Sequence, residues 1–257
     1  MALSQTSLRP PPPHLARWEI FAVFAVSLGA SALNALLSLI AALLTPRPLA
    51  SQRRTLVGSF VPNHWLDLAF QLASVAEVLA PVVLVFYLFA RSGESPSVIG
   101  FDAREPGRDA LRGIVLAVVI GGAGLGLYLA AFRLGVSVNV VAESLPPVWW
   151  RIPVLLLNAV QNGLIEEILV VGYLLRRLDQ LGTRPAVAVA VSAVLRGSYH
   201  LYQGLGGFVG NMTMGVVFAL LYRRWGRVMP LVVAHTLIDA TAFVGYALLN
   251  GKVSWLP

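Results

Sequence analysis

Six side chains able to do chemistry lie inside long apolar runs. Glu166 and Glu167 are adjacent in the run from Pro153 to Leu175. Arg196 and His200 are four residues apart in the next run, and His235 and Asp239 have the same spacing in the last. An acidic side chain at the centre of a membrane helix costs roughly 2.5–3.5 kcal/mol by insertion scales, so such groups are paired or used. The four-residue spacing puts each later pair on one helix face. Neighbours on an α-helix are about 100° apart, so at most one of the two glutamates is expected to point straight at a common centre. Gathered together, these groups have the parts for hydrolysis. A glutamate can act as base toward a water, histidines can bind a metal or orient that water, and a further polar group can stabilise the oxyanion. The same pairs could instead neutralise one another and fix helix packing. Three pairs within the last hundred residues favour function.

Taken in order, the three segments resemble the CPBP family of intramembrane proteases, which includes the type II CAAX prenyl endopeptidases and the bacterial Abi proteins. The family pattern is Glu-Glu-x-x-x-Arg, then Phe-x-x-x-His, then His-x-x-x-Asn or Asp. Here Glu166-Glu167-Ile-Leu-Val-Val171 has valine at the arginine position, Arg196-Gly-Ser-Tyr-His200 has arginine at the phenylalanine position, and His235-Thr-Leu-Ile-Asp239 matches the third motif. The resemblance spans roughly Trp150 to Leu249. It implies a helical membrane fold with a site between helices, and a Glu-activated water attacking a peptide bond. Glu166 is then the base and Glu167 its supporting carboxylate. His200 and His235 are ligands or water-positioning groups, and Asp239 is a polar partner near the oxyanion. Two histidines and a carboxylate (His200, His235 and Glu167) would suit a divalent metal such as zinc; a metal-free mechanism uses the same residues. The charge lost at Val171 is expected to return through Arg196 from the neighbouring helix. The bland alternative is a decayed site.

The elements that must position these residues are transmembrane helices. Of 257 residues 57% are hydrophobic and 12% charged, against about 25% charged in soluble domains, and the mean hydropathy is +0.76. The class is all-α, a polytopic transmembrane bundle of seven to eight helices. The spans read as Ile20–Leu44, Leu66–Ala90, Gly113–Phe132, Pro153–Leu175, Ala186–Tyr202, Gly206–Tyr222 and Val228–Leu249. There is no cysteine, which excludes a disulfide framework, a thiolate metal site and a cysteine protease. The division is a proline-rich, disordered tail (1–17), amino-terminal helices and loops (18–149) and a catalytic helical core (150–257).

With the amino terminus cytoplasmic, the inside segments hold twelve arginines: Arg9, Arg17, Arg91, Arg104, Arg108, Arg112, Arg176, Arg177, Arg184, Arg223, Arg224 and Arg227. The outside segments hold six cations, Arg47, Arg53, Arg54, Arg133, Arg151 and Lys252. The bias favours amino terminus in and carboxyl terminus out; the resemblance adds the expectation of a bacterial cell membrane. Segment 91–112 carries eight charges and reads as a solvated connection, with Ser95–Phe101 along the interface. Asp67 reads as interfacial, His64 and Trp65 as an anchor, Trp149 and Trp150 as part of an aromatic belt, and Gly121–Gly126 as close helix packing.

The function expected is an intramembrane endopeptidase acting on membrane-embedded or membrane-anchored peptides. The competing readings are a non-catalytic scaffold or immunity-type protein and a proton-coupled transporter. A transporter predicts interrupted helices repeated in both halves, whereas the polar groups here crowd the second half. Nothing points to nucleic acid.

Overall fold

The computed structural model describes residues 12–253. Helices α1 (Pro13–Ala25) and α2 (Leu28–Leu44) are bent by 51°. At the bend the Ser27 hydroxyl donates to the Val23 carbonyl at 2.6 Å, a back-bond that competes with helix continuation. A short strand β1 (Arg53–Val57) precedes α3 (His64–Arg91). Asn63 caps α3, its side-chain oxygen accepting from the Trp65 and Leu66 amides at 3.1 Å, as an N-cap asparagine does. Then come α4 (Pro106–Arg133) and strand β2 (Asn139–Glu143). Next is a 30-residue rod, Arg151–Gln180: α5 (Arg151–Glu166), a π-helical turn (Glu167–Tyr173) and α6 (Leu174–Gln180). Helices α7 (Pro185–Ser198), α8 (Leu205–Trp225) and α9 (Met229–Leu249) complete the bundle.

Each of the seven apolar runs contains a helix, and the chain is an integral membrane protein with an all-α bundle. α3, α4, the rod, α8 and α9 are each long and apolar enough to cross a bilayer, and the bent pair α1–α2 is so only when its two helices are taken together. The fifth run differs from expectation. α7 stops at Ser198, 14 residues long, or about 21 Å. His200 therefore lies just beyond the helix end, before a short turn at Leu201–Gln203. That turn is braced by the chain after α4: the Val138 amide donates to the Gln203 carbonyl at 3.1 Å, and Ser137 bridges Gly204. Backbone that leaves a helix inside a membrane protein must find such partners.

The rod is the centre of the molecule. Ile165 to Leu175 are buried without a break and pack against Phe24, Val82, Phe89, Ile99, Phe218 and Leu231, among others. Close approaches fix its neighbours. A Cβ on Gly163 would fall 2.6 Å from Thr236 Oγ1 and 3.0 Å from the Val232 carbonyl oxygen, so only glycine lets α9 lie this near. On the face carrying residues 45–63 and 134–150, β1 and β2 pair in parallel, a ladder the all-helical reading did not include. Arg151 holds β2 to the rod through Glu143, at 2.5 Å.

Several local expectations are corrected. Segment 91–112 is docked through its acidic residues and not solvated throughout; Arg104 and Arg108 stay exposed. Glu94 pairs with Arg176 and Arg177, Asp102 and Asp109 pair with Arg227 (3.0 and 2.6 Å), and Ile99 is fully buried. Arg177, also fully buried, reaches Glu19 of α1 at 2.8 Å. The arginines that set the charge bias thus hold helices together as well. Asp67 is buried, accepting from the Phe60 amide at 2.8 Å, because it closes the loop into α3. Trp150 is core, while Trp149 stays outside beside Trp65. In α4 close packing occurs at Gly113, against Val233, and at Gly121, against Ile238; Gly122, Gly124 and Gly126 face open space. The tail expected at 1–17 falls outside the described residues through residue 11, and from Pro13 onward it is helix α1.

Candidate active site

The site is built at the middle of the rod, where the α-helix gives way to the π-helical turn. Glu166 closes the α-helical part and Glu167 opens the wider turn. A turn closed by i→i+5 bonds takes up one extra residue, so the angular step between neighbours shrinks. This is why the rule of one inward glutamate does not hold: both carboxylates meet the same guanidinium. Arg196 Nη2 donates to Glu167 Oε1 at 2.7 Å, and Arg196 Nη1 lies 3.5 Å from Glu166 Oε2. The backbone disturbed by the wide turn finds a partner on α7, where the Ser192 hydroxyl donates to the Val170 carbonyl at 2.8 Å.

Arg196 and Glu167 are fully buried. Arg196 reaches the carboxylates because α8 leaves it room: a Cβ on Gly215 would come 3.2 Å from Arg196 Cδ. The guanidinium also stands over the Phe218 ring, 5.4 Å from its centroid. Val171, at the position of the missing family arginine, is apolar core.

His235 comes from α9, brought close by Gly163. Its Nδ1 is 2.7 Å from Glu167 Oε1, and its Nε2 is 3.8 Å from Asp239 Oδ2. An Nδ1–H donated to Glu167 leaves Nε2 as the free nitrogen. Asp239 accepts from the Asn162 side chain at 2.7 Å, which fixes it to α5 one turn before Glu166. His200 sits past the end of α7 with Nδ1 3.0 Å from the Arg196 carbonyl. The ring satisfies a carbonyl that the helix end leaves open and turns Nε2 toward Glu166 Oε1, at 4.0 Å.

All six residues singled out from the sequence therefore meet in one cluster. Two partners were not anticipated there. Tyr199 is buried and donates its hydroxyl to Glu166 Oε2 at 2.8 Å. Asn162 anchors Asp239. The available signal was position: Tyr199 precedes His200, and Asn162 is four residues before Glu166 on the same face.

Among the described residues, the groups able to bring one ligand atom each within 4.8 Å of one another are Glu166, Glu167 and His235. His200 is not in that set; it reaches the cluster through Glu166.

Residues 147–241 match the family described as type II CAAX prenyl endopeptidase Rce1-like. No curated protein and no solved structure matches the chain. The matched segment runs from just before α5 into α9 and contains all three motifs, so the resemblance read from them is shown there. Over that segment, somewhat more than a third of the chain, it is similar to that endopeptidase family.

Proposed function

We propose that this protein is an intramembrane endopeptidase that hydrolyses peptide bonds of membrane-associated proteins or peptides with a water activated by Glu166. The observation that carries the reading is the convergence of Glu166, Glu167, His200, His235, Asp239 and Arg196 on one buried cluster, within the segment that matches the endopeptidase family.

The contacts divide the roles. Glu167 Oε1 already accepts from Arg196 and lies against His235. It holds the cluster together and balances its charge. Glu166 is held on one oxygen by Tyr199, and its other oxygen faces His200 Nε2 across 4.0 Å. A water between Glu166 Oε1 and the two imidazoles can give its proton to Glu166 as its oxygen attacks the carbonyl carbon. The tetrahedral oxyanion is stabilised by His235 as an imidazolium, which keeps Nδ1–H on Glu167 and offers Nε2–H as a second donor. Glu166 then returns the proton to the leaving nitrogen as the C–N bond breaks, giving one new carboxyl and one new amine. Asp239 keeps His235 in place from the far side.

By donor type and spacing, Glu166, Glu167 and His235 also fit a divalent cation. Bound there, it would polarise the carbonyl and lower the pKa of a bound water. Arg196 already supplies one positive charge to both carboxylates, so the steps assigned to the side chains stand with or without that ion.

The test is a proteolysis assay in nanodiscs on a panel of membrane-anchored peptides, wild type against Glu166→Gln, with and without chelator. The reading expects cleavage by wild type and none by the variant. Absence of cleavage across the panel by well-folded wild type favours a non-catalytic member. Chelator sensitivity and metal analysis of the same sample decide the cofactor.

A further inference from the structure

We infer that Asn162 is a further catalytic residue of this site, its second amide N–H donating to the oxyanion beside His235 Nε2. This rests on the reaction proposed above and supplies a donor that the reaction lacks. Oxyanion donors stand about 2.7–3.1 Å from the place the oxyanion will occupy. His235 has one free N–H to give, because its Nδ1 faces Glu167.

The other donors of the cluster are engaged. Arg196 and Glu167 are fully buried, and the guanidinium lies between the two carboxylates, so a substrate oxygen does not reach it. The Tyr199 hydroxyl donates to Glu166 Oε2 at 2.8 Å. His200 has Nδ1 on the Arg196 carbonyl at 3.0 Å, and its Nε2 faces Glu166 Oε1. Asp239 serves as an acceptor, its Oδ2 taking the Asn162 amide at 2.7 Å.

Asn162 has a donor left over. A side-chain amide carries two N–H groups. One goes to Asp239, and the other has no acceptor among the described residues. The amide is held in this orientation from both ends, since Gln161 Nε2 donates to Asn162 Oδ1 at 3.4 Å. His235 Nε2 lies 3.8 Å from the same Asp239 Oδ2. The two nitrogens thus flank one oxygen, and a second oxygen set between them can accept from both. Asn162 is one turn before Glu166 on the same face of α5, with Cβ atoms about 5–6 Å apart. An oxyanion at Asn162 is therefore close to a water at Glu166. Asn162, Asp239 and His200 are half-buried, whereas Arg196 and Glu167 are sealed. A substrate arrives from the Asn162 side. Gly163, next in sequence, lets α9 lie close enough for Asp239 to fix the amide.

The test uses the full chain in nanodiscs and two probes: a membrane-anchored peptide that wild type cleaves, and the same peptide with a phosphinate at the scissile bond. The phosphinate is a tetrahedral anion that is not hydrolysed. Asn162→Ala should lower kcat about a hundredfold, the size for one oxyanion donor, with KM little changed. Affinity for the phosphinate should fall by about the same factor. Affinity for the uncleaved peptide, measured in the Glu166→Gln background, should stay as it is. Asn162→Ser has a single O–H, which serves Asp239 and leaves none over. It should lose as much activity with a near-normal thermal transition, which separates a lost donor from a misfolded chain. A kcat near wild type in Asn162→Ala overturns the inference, as does equal weakening of phosphinate and uncleaved peptide. In both cases cleavage by wild type leaves the endopeptidase reading standing. A folded wild type that cleaves no peptide of the panel, and binds the phosphinate no better than the peptide, defeats that reading and the role of Asn162 with it.

Discussion

Arg196 on α7 and Glu167 on the rod form a hydrogen-bonded ion pair at 2.7 Å with neither side chain exposed. The arginine that the first motif lacks at Val171 is therefore matched, in charge, from the next helix. Removing one member of a buried pair strands the other, typically at 3–5 kcal/mol. Arg196→Leu should sharply lower folded yield and thermal stability. Val171→Arg with Arg196→Phe returns the charge to the rod and should recover much of that loss. A double variant no better than a near-normal Arg196→Leu would refute the exchange.

The two glutamates should separate by phenotype. Glu166→Gln keeps the Tyr199 contact and should abolish cleavage while the thermal transition changes little. Glu167→Gln weakens bonds to both Arg196 and His235 and should lower the transition as well as the activity. Equal stability in the two variants would contradict the roles assigned.

Tyr199→Phe removes one hydrogen bond to a carboxylate. A bond of this kind is worth about 1.5–3 kcal/mol, so kcat should fall by roughly ten- to a hundredfold with KM little changed. A change confined to KM would assign Tyr199 to substrate binding.

Gly163→Ala tests the closeness of α9. The added methyl meets Thr236 and the Val232 carbonyl, so α9 must move outward and His235 must leave Glu167. Overpacking of this sort costs about 1–3 kcal/mol. Pairing Gly163→Ala with Thr236→Ala relieves part of the clash and should restore part of the thermal stability.

Acid should loosen the arginine-rich face. The Arg104 amide, followed by the Arg227 side chain, holds the Asp102 carboxyl below its ordinary value of 3.8, and the two carboxylates beside Arg227 raise that guanidinium further. Asp102 has the lowered pKa in the folded state, so its contribution is present above 3.8 and is lost as pH falls through the lowered value. The melting temperature of the detergent-solubilised protein should drop in that window, and Asp102→Asn should flatten the drop.

How much of this was legible depends on the kind of residue. Glu166, Glu167, Arg196, His200, His235 and Asp239 stood out because a charge or imidazole in an apolar run is costly, and cost is visible in sequence. Tyr199 and Asn162 carry no charge, so only their positions beside His200 and Glu166 marked them. The π-helical turn has no composition of its own; Glu167 to Tyr173 reads like any apolar helix. The β1–β2 ladder joins residues more than eighty apart in sequence, each strand too short to signal itself. Glu94, Asp102 and Asp109 read as solvated because a charge-rich connection usually is; their partners Arg176, Arg177 and Arg227 lie far along the chain.

The π-helical turn also sets a phase. Upstream on the rod, Asn162, Gly163 and Glu166 address α9 and the turn after α7. Downstream, Tyr173, Arg176 and Arg177 address Glu19 and Glu94. One continuous element thus serves two sets of partners, and the extra residue in the turn brings both into alignment. Removing a single residue between Ile168 and Gly172 would rotate one half against the other by about a quarter turn, the step per residue of a helix. No side-chain substitution elsewhere could make up that angle, so this stretch is constrained in length as well as in its buried side chains.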